Sequence, residues 1–326
     1  MDDWYDRAGV RRQPRRRFAA DESSSALFSR RSLPEFGHPL VQGLDPAQHE
    51  RILAQHLYRY LRFTVHLETR VVNRALTALA TQDVAMPLTD QTREEALLIL
   101  TDESFHAQAS LNMLRQVAHA SRIDPVRYDF DAVLELLDGP EGNHASGYEA
   151  IRHLLQACVF ETMVTSILDE LPADDTVHPS IRRIVADHAE DERVHHVYFA
   201  RFFPELWTAL DGRTRSAVAR DLPQMILACA QPDVRSAEVA LIDGGLRSDV
   251  AREVIQATYS RDVVTRRVRT TARHTIRLLT RCGVLDSDEG RDSFTAAGLI
   301  APDATVVDVI ESPVHPSSTL LGKDDS

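Results

Sequence analysis

Apolar positions recur at helical spacing over most of the chain. Asp45-Pro46 places an N-cap before a proline at the first helical position and opens an amphipathic stretch that runs to about Ala80. A second stretch runs from Thr89 to about Ala120, a third from Gly147 to Leu171, and a fourth from Pro179 to about Phe203. Pro125, the Gly139-Pro140 pair and Gly142 mark a connection of roughly thirty residues between the second and third, with one short helix expected at 130–137. Further helical patterns fill 213–230, 235–245, 248–259 and 262–281, whereas VVDVI at 306–310 is the only run that reads as a strand. A short–long–short order of connections among four long helices is that of a bundle with one long crossover. The expectation is therefore an all-α protein with a ferritin-like four-helix bundle core and additional C-terminal helices.

The ends differ from this pattern. Residues 1–33 carry RRQPRRR and DESSS with little periodic apolar content and read as a disordered arm, its arginine cluster (Arg11, Arg12, Arg15, Arg16, Arg17) taken as a solvated face. Residues 34–290 form the helical domain, and 291–326 read as a mostly irregular extension.

Composition narrows the classes. Acids outnumber bases 49 to 37, a formal net charge of −12, which argues against nonspecific binding to nucleic acid. The 43% hydrophobic content of 326 residues is enough to bury a substantial core. No apolar run reaches the ~20 residues needed to span a bilayer, so no membrane is expected. Met1 to Arg17 lacks the apolar segment of an export signal, and Cys158, Cys229 and Cys282 stand far apart, so reduced, buried thiols in a cytoplasmic protein are expected.

The chemistry lies in two copies of one motif. Asp102-Glu103-Ser104-Phe105-His106 stands on the second helix and Asp191-Glu192-Arg193-Val194-His195 on the fourth. Acid–acid–x–x–His should arise about 0.3 times by chance in a chain of this composition. Residues at i and i+3 share a helix face, so Glu103 with His106 and Glu192 with His195 can reach one ion pair between helices. A di-metal carboxylate bundle needs one further glutamate from each of the other two helices. Glu68, within FTVHLETRVV, and Glu161, within QACVFETMV, supply them. A glutamate in such a run is costly to bury unless a cation compensates it. His188, four residues before Glu192, adds a third imidazole on the same face. Asp102 and Asp191 could accept from the second ring nitrogen of a ligand histidine and fix its tautomer, although exposed helix acids account for them equally well. His66 and His196 point elsewhere. A purely structural bundle would leave seven inward acids and histidines unexplained.

The pattern Glu68, Glu103-x-x-His106, Glu161, His188-x-x-x-Glu192-x-x-His195 resembles the p-aminobenzoate N-oxygenase family of non-haem di-iron enzymes. The string DESFH, the gap of 35 residues from Glu68 to Glu103 and that of 27 from Glu161 to His188 carry the likeness, which covers about residues 36–290. The third histidine separates it from ordinary ferritin-like di-iron proteins. The resemblance implies two iron ions per chain cycling between Fe2+ and Fe3+, O2 as cosubstrate, and a peroxo-diferric species that oxidises an arylamine nitrogen to hydroxylamine, nitroso and nitro products. It implies Glu68, Glu103, His106 and His195 largely around one iron, with Glu161, His188 and Glu192 completing the other or bridging. It implies too an external reductase or reductant, since no dinucleotide or flavin motif is present, and a possible homodimer. Family members hold a substrate carboxylate with an arginine in the C-terminal helical region. Here an ungapped register puts Thr270 at that place, with Arg269 beside it as a candidate anchor. Relatives also act late in antibiotic-type pathways.

Competing readings keep the metals and change the chemistry to hydroxylation, desaturation or azoxy formation, or remove the chemistry in a ferritin-like metal binder. Manganese would satisfy the same ligands.

Overall fold

The computed structural model describes residues 4–19, 25–138, 148–168, 170–303 and 308–309. Two single-turn helices, α1 (Trp4–Arg7) and α2 (Gly9–Arg12), open the chain, and α3 (Pro39–Gln42) precedes the bundle. The first bundle helix, α4 (Pro46–Leu67), starts at a reciprocal cap. Asp45 Oδ1 accepts from Gln48 N at 2.9 Å while Gln48 Oε1 accepts from Asp45 N at 3.1 Å, so two otherwise unpaired donors are satisfied. Its axis continues through one π turn, Glu68–Val72, into α5 (Asn73–Thr81). The sequence pattern gave no sign of that wider turn, which falls on Glu68. The second bundle helix is α6 (Asp90–Ser121), capped by Thr89, whose Oγ1 accepts from Thr92 N at 3.1 Å.

The long crossover holds α7 (Asp131–Asp138), close to the short helix expected there, and returns to α8 (Tyr148–Leu168). A turn, α9 (Glu170–Ala173), leads to α10 (Pro179–Ala209). Helix α10 runs past Phe203 through Pro204. A single proline removes one donor, and the buried Phe202, Phe203 and Leu206 hold the helix against its neighbours on both sides of it. Then α11 (Gly212–Ala230), α12 (Val234–Asp243), α13 (Ser248–Thr258), α14 (Arg261–Thr271), α15 (Arg273–Arg281) and α16 (Asp288–Ala296) wrap the bundle. Among the described residues there are no strands, only an isolated bridge between Ala26 and Val177. The fold is all-α and ferritin-like.

Helices α4 and α5 pack on α6, α8 packs on α10, and α6 meets α10 across the bundle. The last pair runs antiparallel. Asp191 approaches His106, His195 approaches Asp102, and Tyr198 Oη donates to Thr92 O at 3.1 Å, so rising numbers on one helix meet falling numbers on the other. A separate small core of Val41, Ile52, Ala237, Leu241, Ala251 and Val254 fastens α12 and α13 to the start of α4. No described helix is long and apolar enough to cross a membrane.

The ends depart from the sequence reading. Residues 4–19, expected as a solvated arm, lie against α6 and α10. Arg16 pairs with Asp187 at 2.6 Å, Phe18 N donates to Gln116 Oε1 at 3.0 Å, and the Phe18 ring stacks on His178 with centroids 4.2 Å apart. Individually addressed partners on two helices, rather than apolar periodicity, hold this segment, so the periodicity could not reveal it. At the other end α16 and the buried Leu299 and Ile300 belong to the body of the protein. Of the run read as a strand, Asp308 and Val309 are helical, while Val306, Val307 and Ile310 lie outside the described residues. The cysteines are free thiols, Cys158 and Cys229 buried and Cys282 half-buried.

Gln55 shows how the crossover is held. Its buried amide donates to Asp124 O at 2.9 Å and to Asp243 Oδ2 at 2.7 Å, and accepts from Val126 N at 3.0 Å. Gln55→Ala strands these groups and is expected to cost about 1–3 kcal/mol in a urea unfolding titration. An unchanged midpoint would show that water replaces the amide without loss.

Candidate metal centre

Helices α6, α8 and α10 and the π turn each bring acids or imidazoles to one place. Glu68, Glu103, Glu161 and Glu192 are at most 1% exposed, and His106, His188 and His195 are buried with them. Their helix neighbours Ala96, Ile99, Ala157, Val164, Val185, Ala189 and Phe199 are buried too, so the acids share the apolar stripes of their helices.

The ligand atoms form two overlapping groups, each with its atoms within 4.8 Å of one another. Glu103, His106, His188 and Glu192 make one, and Glu103, Glu161, Glu192 and His195 the other. Glu103 and Glu192 belong to both. In the first group His106 Nδ1 lies 3.0 Å from Glu103 Oε2 and 3.5 Å from Glu192 Oε1, and His188 Nε2 lies 2.8 Å from the same Glu192 oxygen. Glu68 Oε1 joins this side, 3.7 Å from His188 Nε2. In the second group His195 Nδ1 lies 2.7 Å from Glu103 Oε1, 3.6 Å from Glu192 Oε1 and 3.9 Å from Glu161 Oε2. All seven residues singled out in the sequence therefore meet. Their division differs from that implied by resemblance, which set His106 and His195 around the same ion. The antiparallel course of α6 and α10 is the reason. Three residues beyond Glu103 and three beyond Glu192 lead in opposite directions along the bundle, so each histidine reaches a different side of the glutamate pair.

Outside the cluster the two aspartates cross over. Asp191 Oδ2 lies 3.1 Å from His106 Nε2, and Asp102 Oδ2 lies 3.3 Å from His195 Nε2. Each aspartate thus serves the histidine of the other helix. An imidazole that donates its Nε2 proton outwards presents the Nδ1 lone pair inwards.

The polar atoms left over test whether cations fit. Glu68 Oε2, Glu103 Oε1, both Glu161 oxygens, Glu192 Oε2 and His195 Nδ1 are buried without a hydrogen bond. His195 Nδ1 and Glu103 Oε1 are 2.7 Å apart yet not aligned for one, and both face the same centre as the other ligand atoms. Four buried glutamates carry the charge that two divalent ions cancel. The donor set, oxygen with three imidazoles, suits iron or manganese.

Electrostatics of the metal-free cluster point the same way. Burial pushes Glu68 well up, and the charges of Glu103, Glu192 and Glu161 add to it. Glu161 is likewise raised by burial and then by Glu192 and Glu103. Burial and Glu192 also press Glu103 upward, but His195 and His106 outweigh them and hold it at about 2. Glu192, against the same burial, is held well below the usual range by His195, His106 and His188. Burial would lower His106 and His195, yet their carboxylate neighbours raise both well above the ordinary value. His188 goes down through burial and the neighbouring His106. Protons thus occupy the places that cations would take.

Two further residues fall outside the sequence reading. Tyr60, two turns before Glu68, has a buried hydroxyl without a partner, its ionisation opposed by burial and then by Glu68 and Glu192. Its i−8 spacing from Glu68 was the available signal. Arg269 is not brought to the cluster. It is exposed, its guanidinium bonds to Gly298 O and Ile300 O, and with Arg266 and Arg273 it lines a surface groove of about 750 Å³ that contains none of the seven residues. The helix α14 turns Arg269 toward the chain's C-terminal segment instead of the bundle axis.

A family model described as P-aminobenzoate N-oxygenase AurF matches residues 13–283. A 4-aminobenzoate N-oxygenase of Streptomyces thioluteus is 24% identical over 231 residues, covering 68% of this chain and 66% of that protein's length.

Metal uptake is expected to release protons, because Glu68, Glu161, His106 and His195 hold them in the metal-free state. Groups raised in the folded state contribute stability that is complete below their unfolded values and is lost as pH climbs through the folded ones. The melting temperature gained on loading with a divalent metal should therefore grow from about pH 4.5, where Glu68 and Glu161 begin to contribute, and more steeply above about pH 6.5, where His106 and His195 join them. Calorimetry of apo and loaded protein across that range checks this, and a gain that shrinks with rising pH would contradict it.

Proposed function

The chain belongs to the p-aminobenzoate N-oxygenase family, and from that premise we propose that it is a non-haem di-iron oxygenase that oxidises the nitrogen of an aromatic amine. The observation that carries the reading is the pair of buried ligand groups sharing Glu103 and Glu192. In this proposal Glu68, His106 and His188 would hold one iron, Glu161 and His195 would hold the other, and Glu103 and Glu192, which belong to both ligand groups, would be available to either. Two irons so held would supply the capacity for O2-dependent oxidation of an amine nitrogen, with electrons drawn from an external reductant.

The protein's own residues set the conditions. Asp102 and Asp191 hold the Nε2 atoms of His195 and His106 outward, so that Nδ1 faces inward and would offer a lone pair to a metal once its proton leaves. Val164, Val185, Ala189 and Phe199 keep bulk water from the helix faces that carry the ligands. His188, lowered by burial and His106, stays neutral, the form in which an imidazole could donate a lone pair to a metal. Tyr60 offers an unengaged hydroxyl beside Glu68, suited to the polar end of an amine or its hydroxylamine product. The proposal extends to hydroxylamine, nitroso and nitro products, to an arylamine formed in a secondary-metabolite pathway, and to a separate reductase. Arg269 has no part in it, because it is engaged elsewhere.

Iron-reconstituted protein, reduced and exposed to O2 with a panel of arylamines, should yield N-oxidised products by mass spectrometry. Consumption of O2 without any organic product would instead favour a ferritin-like metal binder. Glu192→Ala removes a ligand shared by both groups and should lower turnover more than about 100-fold together with bound iron. His188→Ala should keep the fold and alter or abolish product formation, while unchanged turnover would reduce His188 to a core residue.

A further inference from the structure

Residues 4–9 reach the outer side of the metal centre. Trp4 Nε1 donates to Asp102 Oδ2 at 2.8 Å, and Gly9 N donates to Asp191 at 3.0 Å for Oδ1 and 3.2 Å for Oδ2. These are the two aspartates that hold His195 and His106. Helices α1 and α2 thus make the same kind of contact twice, once on α6 and once on α10. Both residues lie ahead of the stretch shared with the family.

The fit is close. A Cβ on Gly9 would stand 2.4 Å from Asp191 Oδ2, so the position admits only glycine without displacement of the carboxylate. Asp102 Oδ1 is buried without a hydrogen bond, so Oδ2 alone fixes that side chain, shared between Trp4 and His195. Take away the indole N–H and only the imidazole itself would orient the carboxylate meant to orient it. The segment behind is anchored on both helices. Arg15 bonds to Asn112 and Phe18 N to Gln116 on α6, while Arg16 pairs with Asp187 and Ala19 N with Ser180 on α10.

We propose that Trp4 and Gly9 are positioning residues of the metal centre, setting Asp102 and Asp191 and, through them, the inward lone pairs of His195 and His106. The inference rests on the metal-site reading above. It makes the N-terminal segment a support that spans both motif helices, so metal retention depends on residues that touch no ligand. Outer partners of ligating histidines change metal affinity about 10–100-fold when lost, and these lie one bond further out.

The test uses full-length protein loaded with Co2+, whose visible absorption reports ligand geometry, followed by transfer of the metal to a chelator. Trp4→Phe keeps the ring and removes the N–H, and Gly9→Ala pushes on Asp191. Expected are an altered cobalt spectrum and metal loss at least about 10-fold faster in both variants, with the apoprotein melting temperature of Trp4→Phe close to that of wild type. Spectra and release rates equal to wild type would overturn the inference, as would a drop in apoprotein stability with an unchanged spectrum, which would make Trp4 a packing residue only. Wild-type protein that takes up no cobalt would overturn the metal-site reading and this inference with it.

Discussion

Four carboxylates buried within reach of one another are the constraint on which the rest of the structure depends. At an effective dielectric of 20, two like charges 4 Å apart repel by about 4 kcal/mol, and burial adds to the cost. Protons on Glu68 and Glu161 and charge on His106 and His195 relieve it in the metal-free protein. Metal ions would relieve it better, because they would also engage the buried polar atoms left without hydrogen bonds. Long helices with apolar stripes, a crossover that lets α6 and α10 run antiparallel, and a π turn under Glu68 bring this charge together and keep it dry.

The antiparallel pair gives the site its pseudo-symmetry. Each motif helix offers a shared glutamate, a histidine to one side of it, and an aspartate that crosses to hold the other helix's histidine. The symmetry breaks at His188, which gives one side an extra neutral nitrogen donor while Glu161 serves the other. Two unlike ligand groups are a consequence of that single imidazole.

Much of this was legible in the sequence, for a physical reason. The i,i+3 spacing of glutamate and histidine and the placement of Glu68 and Glu161 in apolar runs are local properties, and local properties survive folding. The grouping of the ligands was not legible, because it depends on the relative direction of α6 and α10. Neither was the π turn, since Glu68 to Val72 has no composition that demands a wider turn. The segment from Trp4 to Ala19 escaped because single hydrogen bonds and ion pairs dock it, and those leave no period. Arg269 was placed by register alone, and register does not say which way a helix turns its face.

The most direct test of the central claim is an anaerobic titration of the apoprotein with Fe2+, read as iron bound per chain after removal of excess metal. Two ligand groups sharing Glu103 and Glu192 predict saturation at about two ions per chain. Saturation at one, or no binding by correctly folded protein, would contradict the paired site and the oxygenase chemistry built on it.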